Sequence, residues 1–220
     1  MGIEQLDING NSFIGVFCRA NERILLYPPG LTDTSVKKMV TALDVEPVRM
    51  TVGGSTLLGS LLALNSKGAV VSNFIEVEEA SCLDGINIVK APVKLNACGN
   101  NILCNDRAAL VNPGYTKKFV QTMSDGLDVE VVRGSIAGIK TVGSASVAVN
   151  KGILVHPKAT EEELSMMRDL FKVNVQIGTA NYGSPMVGAC MIANTKGAVV
   201  GSLSTGIELG RMEDALGFLD

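Results

Sequence analysis

The chain alternates short apolar runs with polar connections, and the alternation repeats. Ile24-Leu-Leu26, Ala69-Val-Val71, Ala108-Ala-Leu-Val111, Ile153-Leu-Val155 and Ala198-Val-Val200 each follow an asparagine by a few residues: Asn21, Asn65, Asn105, Asn150 and Asn194. A second apolar run precedes each asparagine where the pattern is clearest, as in Leu57-Leu-Gly-Ser-Leu-Leu-Ala-Leu64. Two strand-like runs joined by Asn and Gly predict a β-hairpin, because both residues accept the positive φ of a tight turn. The asparagines lie 44, 40, 45 and 44 residues apart. Five copies of one hairpin-bearing unit are therefore predicted.

Behind each hairpin the apolar period lengthens to that of a helix. Val36, Met39, Val40 and Leu43 fall on one helical face, as do Tyr115, Phe119, Val120 and Met123. Thr160 and Glu163 make a capping-box signature ahead of Leu164, Met167 and Phe171, and Leu209, Met212 and Leu216 close the series. The second unit is the weakest, with only 74–83 available for its helix. Strands are predicted at 45–52, 86–95, 129–136 and 173–177. They lead into small-residue junctions at Gly53, Gly99, Gly143 and Gly178, with Gly15 in the matching N-terminal place. Glycine there suits a position where strands crowd and a Cβ would clash.

The ends of the chain carry the topological argument. The 26 residues after Asn194 and the 21 up to Asn21 together make about one further period. A linear stack of repeats has atypical caps and no need for such a sum. A closed ring cut inside one unit does need it. The predicted fold is a single domain, 1–220: a five-bladed, pseudo-fivefold α/β propeller with helices outside and short-stranded sheets inside. Residues 4–17 would complete the unit that the C-terminal helix leaves unfinished.

Composition narrows the function. The chain is 46% apolar with no Trp, enough for a core of aliphatic residues, and its 24 glycines cluster at the repeated turns. A net charge of −3, from 19 basic and 22 acidic residues, argues against dominant nucleic-acid binding. Acidic groups at Glu76, Glu78 and Glu79, at Glu161 to Glu163, and at Glu208, Glu213 and Asp214 suit a basic protein partner better. No basic-then-apolar leader opens the sequence, no run is long enough for a membrane, and Leu6 stands where N-myristoylation needs Ser or Thr. The expected location is cytoplasmic. Five scattered cysteines fit a reducing compartment and small core residues rather than disulfides. Cys98 and Cys104 lack partners at zinc-ligand spacing, Gly53-Gly-Ser-Thr56 lacks the lysine of a phosphate loop, and the one histidine, His156, reads as a turn residue before Pro157. Neither a cofactor nor a metal is expected.

Four runs carry a family resemblance. They are Gly53-Gly-Ser-Thr-Leu-Leu-Gly-Ser-Leu-Leu-Ala-Leu-Asn-Ser-Lys-Gly68, Cys98-Gly-Asn-Asn-Ile-Leu-Cys-Asn-Asp106, Thr141-Val-Gly-Ser144 through Asn150-Lys-Gly-Ile-Leu-Val-His-Pro157, and Ile177-Gly-Thr-Ala-Asn-Tyr-Gly-Ser184. In order and across essentially the whole chain, they resemble the translation initiation factor six family of archaeal and eukaryotic ribosome anti-association factors. Ending at Asp220, without the eukaryotic C-terminal tail, the sequence resembles the archaeal members. The resemblance implies a pentein fold and a monomer with no enzymatic activity. It also implies binding to the large ribosomal subunit near the sarcin–ricin loop, mainly through ribosomal proteins with little direct RNA contact. Such binding blocks the surface the small subunit would use, and a role in large-subunit biogenesis goes with it. The interface positions it implies are Gly15, Ser60, Gly68, Gly99, Asn100 and Asp106, with Ser60 standing where eukaryotic members carry Arg.

Two other readings stay open on sequence. One is a thiol-dependent guanidine-modifying enzyme on the same kind of fold, which would need a cysteine near His156. The other is an interaction ring that presents its acidic face to some other partner.

Overall fold

The computed structural model describes residues 2–219. It opens with β1 (Gly2–Leu6) and then runs through one pattern repeatedly: a four-residue helix, a hairpin, a longer helix and a strand. The first pass comprises α1 (Ile14–Phe17), β2 (Arg19–Ala20), β3 (Ile24–Tyr27), α2 (Asp33–Leu43) and β4 (Glu46–Arg49). The second comprises α3 (Leu58–Leu61), β5 (Leu62–Leu64), β6 (Gly68–Val71), α4 (Val77–Ala80) and β7 (Asn87–Lys90). The third has α5 (Cys98–Asn101), β8 (Ile102–Cys104), β9 (Ala108–Val111), α6 (Lys117–Leu127) and β10 (Glu130–Arg133). The fourth has α7 (Val142–Ala145), β11 (Ser146–Ala148), β12 (Gly152–Val155), α8 (Glu161–Phe171) and β13 (Asn174–Ile177). The fifth has α9 (Val187–Cys190), β14 (Met191–Ala193), β15 (Gly197–Gly201) and α10 (Gly206–Leu216).

The strands form five three-stranded sheets among the described residues. In each, the hairpin is antiparallel and the third strand joins the second in parallel, as β5–β6–β7 does. The fifth sheet takes its third strand from the other end of the chain: β1 pairs in parallel with β15, Gly2 opposite Gly197 through Leu6 opposite Gly201. The N-terminal residues thus complete the last unit, as the leftover lengths predict.

Four of the longer helices have 11 residues and share their punctuation. Thr32, Thr116, Thr160 and Thr205 cap them by accepting from the backbone N–H three residues on. Asp44, Asp128, Lys172 and Gly217 end them in the left-handed conformation. The capping box at Thr160 and Glu163 is present, and the second unit's helix shrinks to the single turn of α4. Its short spacing has that cause.

Apolar side chains bury between units rather than within them. Met39 and Leu43 of α2 pack with Leu25 of their own hairpin and with Ile192 and Val199 of the fifth unit. Met123 and Leu127 of α6 pack likewise with Ala63, Val70 and Val89 of the second. Five such clusters are present, each joining two successive units and the last one joining fifth to first.

Three expectations are corrected. First, the observed strands are shorter than the apolar runs suggest; β4 occupies only Glu46–Arg49 of 45–52, because Val52 bonds instead to Ser55 across a tight turn. Second, none of the hairpin asparagines has positive φ. They recur for their side chains instead, which bond from one unit to the next. Third, Cys82 is exposed, while Cys18, Cys98 and Cys190 are buried and Cys104 partly so.

Candidate functional site

Each unit has two ends. One gathers the hairpin tips and the C-termini of the longer helices; the other gathers the short helices, the turns before them and the N-termini of the longer helices.

At the turn end the short helices meet through glycine. A Cβ on Gly59 would lie 1.9 Å from Gly15 O, on Gly99 1.8 Å from Gly59 O, on Gly143 2.1 Å from Gly99 O, on Gly188 2.0 Å from Gly143 O, and on Gly15 2.1 Å from Gly188 O. Five glycines touch in a cycle that returns to its start, and no other residue fits at those positions. Crowding is the right reason for a recurring glycine, but two of the five differ from expectation. Gly53 is a positive-φ turn residue against Phe74, and Gly178 packs on Leu154; Gly59 and Gly188 take their places.

Three turns at this end are clamped by a glutamate from their own unit's helix. Glu79 accepts from Gly53 N (2.6 Å), Gly54 N (2.9 Å), Thr51 Oγ1 (2.5 Å) and Glu76 N (2.9 Å). Glu163 takes Ala137 N and Thr160 N, and Glu208 takes Thr179 Oγ1, Tyr182 N, Gly183 N and Thr205 N. Burial by itself would raise the Glu79 carboxyl; the four hydrogen bonds outweigh it and bring the pKa down to about 2. Exposed apolar side chains gather around these turns, among charged ones such as Lys94, Lys140 and Lys158. Of the nine large hydrophobic residues exposed among the described ones, eight lie here, including Val77 (76%), Val93 (79%), Tyr182 (83%) and Ile207 (84%).

At the hairpin tips the asparagines link units. Asn21 Nδ2 donates to Asn65 O (2.9 Å), Asn65 to Asn105 O (3.2 Å), Asn105 to Val149 O (3.0 Å) and Asn194 to Asn21 O (3.1 Å). Each Oδ1 accepts from the N–H groups two and three residues on, shaping its own tip; Asn65, for example, takes Lys67 N and Gly68 N. The equivalent position in the fourth unit is Val149, not Asn150, so the expected asparagine register is one residue out there. Asn150 belongs to the next layer. There Asp106 accepts from Ser66 N (2.7 Å), Ser66 Oγ (2.8 Å) and Asn150 Nδ2 (2.7 Å), and Glu22 accepts from Thr195 Oγ1 (2.6 Å) and Asn150 Nδ2 (3.3 Å).

Four of the five thiols are made poor nucleophiles by burial. Burial pushes Cys18, Cys98 and Cys104 up to about 12, and Cys190 upward as well. His156 is buried at the end of β12 with Nδ1 accepting from Lys158 N (3.1 Å), and burial lowers its pKa.

Comparison with known proteins decides the family. The eIF-6 family profile matches residues 3–215. The chain belongs to the eIF-6 family. It is 45% identical over 219 residues to a Methanosarcina mazei protein named Translation initiation factor 6, covering 99% of this chain and 100% of that one. Proteins of the same name from Picrophilus torridus (42% over 215 residues, covering 97% and 99%) and Pyrococcus horikoshii (41% over 227 residues, covering both chains fully) are similar to it throughout.

In this eIF-6 chain the six residues expected at an interface divide between the ends. Gly15, Ser60, Gly99 and Asn100 sit together on α1, α3 and α5 at the turn end. Gly68 and Asp106 lie at neighbouring hairpin tips. Gly15, Gly68 and Gly99 are buried, Gly68 because its Cβ would lie 2.1 Å from Gly126 O. Ser60, Asn100 and Asp106 keep partly exposed side chains. Sequence patterns do not single out Arg19, which reaches from β2 to Gly59 O and Gly99 O, nor the clamping role of Glu79 and Glu208. The clamps do leave a signal: Gly53 and Glu79, Ala137 and Glu163, and Tyr182 and Glu208 are all 26 residues apart.

Proposed function

We propose that this chain is a translation factor that binds the large ribosomal subunit and keeps the small subunit from joining it. The observation that carries the reading is end-to-end similarity, at 41–45% identity, to proteins named Translation initiation factor 6. The chain acts as one closed domain, 1–220, a five-bladed α/β propeller of the pentein kind, and as a monomer without enzymatic activity in the cytoplasm. It also takes part in large-subunit biogenesis. Steric exclusion requires only a stiff body with one adhesive face. The glycine contacts and the shared cores supply stiffness, since no unit can shift without disturbing two neighbours. The adhesive face is the turn end, which carries both the exposed apolar side chains and the partly exposed Ser60 and Asn100. Its exposed apolar side chains, on a chain of net charge −3, fit ribosomal protein better than RNA, whose phosphates call for a predominantly basic surface. Contact near the sarcin–ricin loop follows the family resemblance. Gly15, Gly68 and Gly99 serve that function through shape, by holding the surface that other residues present, and Asp106 by fixing its hairpin tip.

Sedimentation through sucrose gradients tests the reading. The protein is run with purified large subunits, small subunits and their mixture. Co-migration with large subunits and fewer joined particles is expected. Free protein at the top of every gradient would overturn the proposal.

A further inference from the structure

A cavity of about 50 Å3 lies where the inner strands of all five units meet, and Arg19 is the one charged residue on its wall. At the equivalent strand position the other units carry Ala63, Leu103, Val147 and Ile192. Arg19 Nε donates to Gly59 O (3.0 Å) and Nη2 to Gly99 O (2.8 Å). Among the described residues Nη1 has no acceptor and no carboxylate pairs with the guanidinium. Other donors on the wall are committed, Ser146 Oγ to Val142 O (2.5 Å) and Cys104 Sγ to Leu64 O (3.4 Å). Burial pulls the guanidinium down to about 10, which leaves it charged at neutral pH, and the surface it retains faces the cavity.

Two carbonyl dipoles do not neutralise a full charge, and a half-buried cation facing a small cavity is stabilised by an anion placed beside it. The cavity exceeds what one water needs, and its walls are otherwise mainly aliphatic. A second, smaller cavity shares Ala20, Leu64 and Cys104 with it and continues to the hairpin tips, giving a way in. Glu22 and Asp106 line that second cavity, and their charges weigh most against multiply charged anions. A small, singly charged ion is the anion least hindered.

We propose that the central cavity binds one inorganic monoanion the size of chloride against Nη1 of Arg19. The ion would compensate the guanidinium that lines this cavity and tie β2 to the neighbouring strands.

Thermal unfolding of the full chain is followed in sodium bromide and in sodium gluconate at equal ionic strength. Bromide is expected to raise the Tm saturably, by about 3–5 °C at ten times its dissociation constant, with no such rise in Arg19→Met. Equal responses of wild type and Arg19→Met, or no difference between the two salts, would overturn the proposal. Should Arg19→Met fail to fold, wild-type crystals grown in bromide decide it. An anomalous peak in contact with Arg19 supports the site, and water alone at that place refutes it.

Discussion

Gly99 is the position at which the packing argument can be made quantitative. A methyl group added there would stand 1.8 Å from Gly59 O and 2.6 Å from Leu62 O, and Cβ contacts under 3.0 Å essentially never occur. The obstructing atoms are backbone on both sides, so no rotamer change relieves the clash, and α3 and α5 must part by more than an ångström. Gly59 cannot simply yield, because it is pressed in turn against Gly15 O, and so around the cycle. Overpacking usually costs about 1–3 kcal/mol where side chains can adjust. Here Gly99→Ala should exceed about 3 kcal/mol and lower the Tm by roughly 6–12 °C. Gly210 is the matched control: it lies inside α10, and a methyl group added there would meet no heavy atom within 4 Å. Gly210→Ala should therefore stabilise by about 1 kcal/mol through helix propensity and raise the Tm by roughly 2–4 °C. Urea denaturation and thermal unfolding of both variants supply the comparison. A Gly99→Ala protein within about 1 kcal/mol of wild type would refute the claim that these contacts are rigid.

Three further outcomes are expected. Glu79 has a folded pKa below its unfolded value, so its clamp stabilises above pH ~4.5 and is lost as pH falls toward about 2; the stability gap between wild type and Glu79→Gln, from urea melts at pH 6, 4 and 3, should shrink in that order. Asp106→Ala frees three donors and should cost about 2 kcal/mol. If it weakens subunit binding without losing stability, Asp106 contacts the ribosome directly instead of fixing its tip. Charge placed at the turn end by Leu203→Glu with Ile207→Glu should abolish co-sedimentation while leaving the Tm within a degree or two, whereas Lys151→Glu at a hairpin tip should change neither; the reverse pattern would move the adhesive face to the other end.

The repeat is legible because each unit is built from the same local chemistry: an apolar hairpin, a Thr-capped helix and a short third strand. Helix faces such as Met39 with Leu43 and Met123 with Leu127 can be read because burial there follows the helical period. What cannot be read is why particular small residues recur. The tip asparagines suggest a backbone conformation, whereas they act through side-chain bonds to the next unit, a relation between residues about 44 apart. Gly53 and Gly178 stand out over Gly59 and Gly188 because a close approach of two backbones leaves no mark on local sequence. Val149 illustrates the same limit. It occupies an asparagine's place in the ladder, and the neighbouring Asn150 disguises the substitution. Arg19 looks like an ordinary hairpin residue, since nothing in its neighbours announces that its end of the strand faces a cavity.

Because every apolar cluster is held in common by two successive units, and one of them by the last and the first, no unit owns a core. Deleting any 44-residue segment would strand half of two clusters at once, so the architecture has no shorter working version. Growth is confined to places that touch no cluster, such as the loops at either end. A lineage can ornament this molecule but cannot trim it by a repeat.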